Sequence, residues 1–171
     1  MVRGYLGNEP PWQRKPLPPI PGVLSAISWV TGEEIPLAAF KPAFGMVFPQ
    51  GVVLYHGTSP EAARAILREG FRTPSGGPVW FSSSFVDAQL FGRLAVLSGD
   101  RSQAWENPLP WQAIAVIEAY VTPREARGCL VSFHYPHLRV HCPAGERIVP
   151  HEMRAFVQIG EAKAYEILER E

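Results

Sequence analysis

Cysteine is scarce in this chain: Cys129 and Cys142 are the only two among 171 residues. Two cysteines cannot staple a small loop-rich scaffold, so a disulfide framework is excluded as the source of the fold. They could bridge two adjacent strands, but two free buried thiols is the favoured reading. Net charge is lacking too, since sixteen Lys and Arg balance sixteen Asp and Glu at a pI near 7.0. A counterion-driven grip on DNA or RNA needs a basic surface, and the overall balance does not supply one. No run of 18 or more apolar residues occurs, so no transmembrane helix and no membrane partner are expected. Met1 to Tyr5 lacks the apolar core of a signal peptide, and a cytoplasmic location is the expectation. Also missing are a Walker A loop, a GxGxxG after a strand and a GxSxG elbow. Dinucleotide binding here would not be of the Rossmann kind.

Proline is what the chain has in excess, and it is unevenly spread. Nine of the 18 prolines fall in the first 50 residues. Residues 8–22 read NEPPWQRKPLPPIPG, which excludes a helix or a central strand. Polyproline II or a wrapped arm is expected for that stretch, within a Pro-rich arm of residues 1–50 packed on the domain, and Trp12, Leu17 and Ile20 could pin it there. A covering arm is favoured over an SH3-type ligand, because a Pro-rich match is only compositional. Residues 23–31 suggest a short helix, and Pro36 to Pro49 reads as loop.

Residues 51–171 carry the folded pattern, with 46% hydrophobic and 19% charged residues over the whole chain, as in a globular domain. Val52 to His56 reads as a strand. Ser59 caps the helix that follows, with Pro60 at its first position and Glu61 in its first turn. Gly70 ends it. Thr73 to Pro78 is a loop, and Val79 to Ser82 a short strand. Ser84 caps a second helix, with Asp87 at the capping-box distance, and Gly99 to Pro110 is loop. Ala113 to Val121 is apolar on both faces, as a central strand should be. Cys129 to Cys142 holds two strand-like pieces broken at Pro136. Glu146 to Val149 and Met153 to Ile159 read as strands, and 161–170 as a charged closing helix. Short helices early and many strands late make an α+β arrangement.

The phrase Tyr55-His56-Gly57-Thr58 is poorly explained by packing alone. It sits where an apolar strand gives way to a helix whose cap, Ser59-Pro60, is already accounted for. Gly57 allows a ligand close to the backbone, because it has no Cβ. His56 offers a donor and an acceptor on one ring. Two further pieces follow in order. Val79-Trp80-Phe81-Ser82-Ser83-Ser84 leads from a strand into a helix, and Gly145-Glu146-Arg147-Ile148-Val149 puts a carboxylate at the head of a late strand.

Together these three pieces, spanning residues 52–159, resemble the His-Tyr-Glu branch of the ADP-ribosyltransferase superfamily. That is the branch of the poly(ADP-ribose) polymerases and diphtheria toxin. The resemblance implies two small, mainly antiparallel sheets around an NAD cleft, with short helices. It implies cleavage of the bond between nicotinamide and ribose, and transfer of ADP-ribose to protein, nucleic acid, a small molecule or water. NAD is then a substrate. His56 would bond the adenosine ribose, and Gly57 would offer its backbone to the carboxamide. Tyr55 and Thr58 would flank the ligand. Trp80 or Phe81 stands where the family has a Tyr that stacks on nicotinamide, and Ser82 lies beside them. Either ring offers a π face, but neither carries the phenol hydroxyl. Glu146 would hold the nicotinamide ribose and stabilise positive charge developing on it, with Glu152 and then Glu118 as alternative carboxylates.

Two other functions share the fold. An RNA 2′-phosphotransferase needs clustered arginines, against which the neutral balance argues. A non-catalytic NAD- or ADP-ribose-binding module would keep the cleft without turnover. The cluster His134, His137, His141 and Cys142 has zinc-compatible residue types. On a strand, adjacent His141 and Cys142 point to opposite faces, so no metal is assigned.

Overall fold

In a computed structural model, the structure describes residues 6, 10–15, 25–27, 34–36, 42–72, 78–96, 114–134, 137–158 and 165–169. Leu17, Ile20, residues 73–77 and the Gly99 to Pro110 loop lie outside the described residues.

Alternation of apolar side chains builds the central strands. Strand β3 (Val52–Thr58) turns Val52, Leu54 and His56 to one face and Val53, Tyr55 and Gly57 to the other. Strand β5 (Ala115–Val121) is buried on both faces. Around them lie β4 (Val79–Ser82), β6 (Leu130–His134), β7 (His137–His141), β8 (Glu152–Gln158) and β9 (Tyr165–Glu169). Their order is β6-β7-β4-β3-β5-β8-β9, and every neighbouring pair is antiparallel. A separate ribbon pairs β1 (Ser25–Ile27) with β2 (Glu34–Pro36).

The expected α+β class is what the structure has. The two sheets around a cleft are not seen as such, since the seven strands form one sheet. That sheet is nevertheless uneven: β3 and β5 share seven residue pairs, whereas β3 and β4 share only Tyr55↔Ser82.

Helix α1 (Phe44–Val47) is a single turn inside the stretch read as loop. Its Phe44 and the following Phe48 are buried in the main core. Helix α2 (Pro60–Glu69) starts as its sequence requires: Ser59 accepts the Ala62 N–H at 3.2 Å, and Pro60 takes the first position. Ala63 and Leu67, four apart, are its buried residues. Helix α3 (Phe85–Val96) opens with a reciprocal cap, in which Ser84 Oγ accepts from Asp87 N at 3.1 Å and donates to its carboxylate at 2.6 Å.

Two apolar clusters result. The larger joins Leu54, Phe71, Phe81, Ile117, Val140 and Ile148 with α2 on one face of the sheet. The smaller, on the other face, gathers Tyr55, Phe85, Ala88, Val116 and Phe156 under α3. Trp12 of the N-terminal arm reaches it, edge-on to Phe85 and Phe156 at 5.8 and 6.0 Å.

Five local expectations are corrected. Within the stretch read as excluding a helix, Pro11–Gln13 is one 3-10 turn, because its first position needs no N–H and Pro11 fits there. Part of the helix read over 23–31 is β1, because Glu34–Pro36 offers it a ladder. Within the expected closing helix, Tyr165–Glu169 is instead β9. The edge of β8 pairs with it from Arg154↔Glu169 to Gln158↔Tyr165, and that pairing overrides helix-forming side chains. Glu146 to Val149 is not a strand. Gly145 takes a left-handed φ of 82°, and Ile148 alone bridges to Phe71. Lastly, Cys129 and Cys142 are not free thiols but a disulfide with Cα atoms 4.3 Å apart. They flank the Leu130↔His141 pair of the β6–β7 hairpin, so pairing alone brings them within bonding reach.

Candidate functional site

The joint between β3 and β4 is where the expected residues come closest. Backbone pairing stops after Tyr55↔Ser82, and a side chain takes over. His56 Nδ1 lies 2.7 Å from the carbonyl oxygen of Trp80. A carbonyl can only accept, so Nδ1 carries the proton and donates it. Nε2 is left with its lone pair whenever the ring is neutral. Burial lowers the His56 pKa from its ordinary value, and the bond to the Trp80 carbonyl offsets only part of this. The ring is therefore neutral at pH 7. It stands edge-on to Phe71 and Phe81, at centroid distances of 5.3 and 6.0 Å.

The other residues of the first motif point elsewhere. Tyr55 lies on the opposite face, buried, and donates its hydroxyl to Glu118 Oε2 at 3.0 Å. Burial and then the Glu118 carboxylate push its phenol far above its ordinary pKa. Gly57 has no Cβ because α3 crosses directly over it. A Cβ there would stand 1.8 Å from the Ala88 carbonyl oxygen, and one on Gly92 would meet the Gly57 backbone at 2.8 Å. Close helix–strand packing thus accounts for this glycine by itself. Thr58, half-buried, ends the strand opposite Ala115.

Alternation along β4 separates the two aromatic candidates. Phe81 is 1% exposed and packs in the main core, 5.0 Å from Phe71. Trp80 is half-buried on the other face. Its ring stacks on Phe91 of α3 at 5.7 Å and 26°, and the Arg139 guanidinium lies 5.1 Å over it. Ser82, on the same face, is buried and sits 2.8 Å from His137 Nδ1. The His137 ring in turn lies 5.3 Å from Phe91. Ser83 is 4% exposed, and its hydroxyl has no hydrogen-bond partner. A buried hydroxyl left unpaired is a group suited to meeting a ligand.

Glu146 is exposed on the turn after β7, where its N–H donates to Pro143 O at 3.0 Å. Two residues later Ile148 is buried and exchanges two backbone bonds with Phe71, at 2.7 and 3.0 Å. Phe71 also touches His56, so the turn is tied to the His56 side of the sheet through one intermediate residue. The other carboxylates are engaged. Glu152 accepts the Leu6 N–H at 3.2 Å. Glu118 is fully buried, with Arg154 on it at 2.8 and 2.9 Å.

The histidine cluster is dispersed. His137 bonds Ser82, and His141 Nε2 bonds Ser132 Oγ at 2.9 Å. Cys142 is in the disulfide and offers no thiolate. Among the described residues, no His, Cys, Asp or Glu group could hold a metal ion. No helix among them is long and apolar enough to cross a membrane.

Sequence reasoning missed Phe91 and Arg139 as neighbours of Trp80, and His137 as the neighbour of Phe91. Phe91 read only as part of an apolar helix face. The signal for the other two was the period of two from His137 to Arg139, which puts both on one face of β7. No family model matches the chain, and no curated protein sequence matches it either.

Proposed function

We propose that this protein is an NAD-dependent ADP-ribosyltransferase that binds its ligand where β3 and β4 part. The observation that carries this reading is the His56–Trp80 bond. It fixes the imidazole tautomer so that Nε2 is the acceptor, which suits a ribose hydroxyl as donor. The depressed pKa keeps that acceptor available through neutral pH. Of the two aromatic residues, Trp80 is the one we assign to nicotinamide, since Phe81 is committed to the core. Ser83, with its unpaired hydroxyl, is a further ligand contact on this reading. Glu146 is assigned as the carboxylate that stabilises positive charge on the ribose as the glycosidic bond breaks. The acceptor of ADP-ribose is not assigned.

The test compares nicotinamide release and NAD affinity for the wild type, His56→Ala and Glu146→Gln. His56→Ala weakens NAD binding, because the ribose hydroxyl is present before reaction. Glu146→Gln leaves affinity near wild type and lowers turnover by about 100- to 1,000-fold, the usual cost of one such electrostatic contact. Full activity in Glu146→Gln removes that residue from the mechanism. A second reading, a binding module without turnover, is favoured by one observation: Glu146 is exposed on a turn. NAD affinity in the wild type without nicotinamide release supports that alternative.

A further inference from the structure

The N-terminal arm is held by groups that the proposed reaction does not use. Glu118, in the middle of β5, is 0% exposed. Arg154 of β8 binds its Oε1 through Nε at 2.9 Å and Nη2 at 2.8 Å. Tyr55 donates to its Oε2. Arg14 approaches the same oxygen from the arm, with Nε at 3.5 Å. That is ion-pair distance without hydrogen-bond geometry, and Arg14 Nε is buried with no hydrogen-bond partner. Arg14 Nη2 donates to Leu6 O at 2.7 Å, and Leu6 N donates to Glu152 at 3.2 Å. Two residues before Arg14, Trp12 rests on Phe85 and Phe156.

One buried carboxylate is thus gripped by two arginines, and unequally. Arg154 makes short, aligned bonds. Arg14 gives up a buried donor to be there, which weakens the arm's hold relative to a guanidinium that fits. The surface beneath the arm has the parts of a peptide-recognition site. It has a carboxylate for a guanidinium, two aromatic rings for an aromatic side chain, and a second carboxylate for a backbone N–H. The arm presents Trp12 and Arg14 from one 3-10 turn, Pro11–Gln13, in which Gln13 N–H donates to Pro10 O at 3.0 Å and Arg14 N–H to Pro11 O at 3.2 Å.

We propose that this surface, formed by Glu118, Glu152, Phe85 and Phe156, is a docking site for a protein segment whose short 3-10 turn carries an aromatic residue followed two positions later by arginine. Trp12 and Arg14 occupy it in cis. The arm competes with that partner as a tethered ligand, at an effective concentration on the order of millimolar.

The probe is a labelled peptide of residues 6–15, titrated into the full-length wild type and into full-length Arg14→Ala. The variant loses its cis competitor, so the peptide binds it at least about tenfold more tightly than it binds the wild type. A peptide with alanine in place of Arg14 binds the variant at least about tenfold more weakly than the native peptide. In the wild type, hydrogen exchange at the Leu6 amide speeds up as peptide is added, because the arm is displaced from Glu152. That last measurement needs no variant and decides the matter if Arg14→Ala does not fold. Equal affinity for the two peptides overturns the proposal. So does Leu6 exchange that is unchanged at millimolar peptide.

Discussion

Strand β3 has two neighbours and joins them in different ways. Toward β5 it zips along its whole length, from Val52↔Val121 to Thr58↔Ala115. Toward β4 it makes one pair and then parts. On the closed seam all seven residues of β3 are paired, and β5 is buried almost throughout. On the open seam the Trp80 carbonyl is met by an imidazole instead of an amide. The His56 ring faces Phe71 and Phe81 on one side of the sheet, and the half-buried Trp80 ring faces Phe91 on the other. Backbone polar groups must find partners somewhere. Where a sheet gives up its own pairing, side chains and ligands can supply them. Pairing is therefore strongest along β3–β5, and the backbone groups left over for other partners lie along β3–β4.

The closed seam is where the largest loss of stability is expected. Glu118→Ala removes the carboxylate that Arg154 and Arg14 share, and leaves both guanidinium groups near an apolar wall. Breaking a buried pair from one side costs about 3–5 kcal/mol. Urea denaturation of the two proteins measures it. A loss below about 1 kcal/mol would mean that water reaches Arg154 freely, and that the seam is not closed.

Two changes of intermediate size, each about 3 kcal/mol, test how the open seam is braced. Gly57→Ala forces α3 away from β3, since the obstacle at 1.8 Å is backbone and cannot rotate aside. The same change should weaken NAD binding if α3 and β4 must hold Trp80 against Phe91. A stable variant with unchanged affinity would show that the helix contact does not shape the site. Reduction of the disulfide, or Cys129→Ser with Cys142→Ser, opens a loop of 13-residue separation. The chain-entropy estimate is about 3 kcal/mol. Denatured, unreduced protein should give no reaction with a thiol reagent. Two thiols per chain would restore the free-cysteine reading and, with it, the fit to a reducing compartment.

The sequence was most legible where signals are local. The caps at Ser59 and Ser84, the end at Gly70, and strands β3, β4 and β5 follow from residue type and spacing over a few positions. It was least legible where a distant strand decides. Residues 165–169 carry Glu, Ile and Leu that suit a helix, and only the edge of β8 makes them β9. Cys129 and Cys142 meet because Leu130 pairs with His141, a register that no local pattern encodes. At the site, His56 and Trp80 were readable from their motifs, but the bond between them was not. Choosing Trp80 over Phe81 required knowing which face of β4 the core takes. Gly57 was read as room for a ligand, while the structure fills that room with α3. Phe91 and Arg139 meet Trp80, and His137 meets Phe91, only through the packing of α3 and the pairing of β7 with β4.

The smallest expected effect belongs to His56 itself, and it separates the two seams by pH. Replacing His56 by alanine removes one hydrogen bond at the open seam, worth about 1 kcal/mol. The pH dependence is the sharper readout. Burial lowers the folded-state pKa of His56 below its unfolded value of about 6.5. Between those two values the unfolded chain binds more protons than the folded one, so wild-type stability falls as pH drops below about 6.5. Above that value the contribution is fully present. Alanine does not titrate, and the other four histidines are common to both proteins. The stability gap between wild type and His56→Ala should therefore be widest at pH 7.5 and narrow by pH 5.5. Denaturant midpoints at both pH values, with slopes held in common, measure the gap. Parallel curves would mean that His56 titrates alike in the folded and unfolded chains. The imidazole would then be open to water rather than seated between Phe71 and Phe81, and the neutral acceptor assigned to the ribose would lose its physical basis.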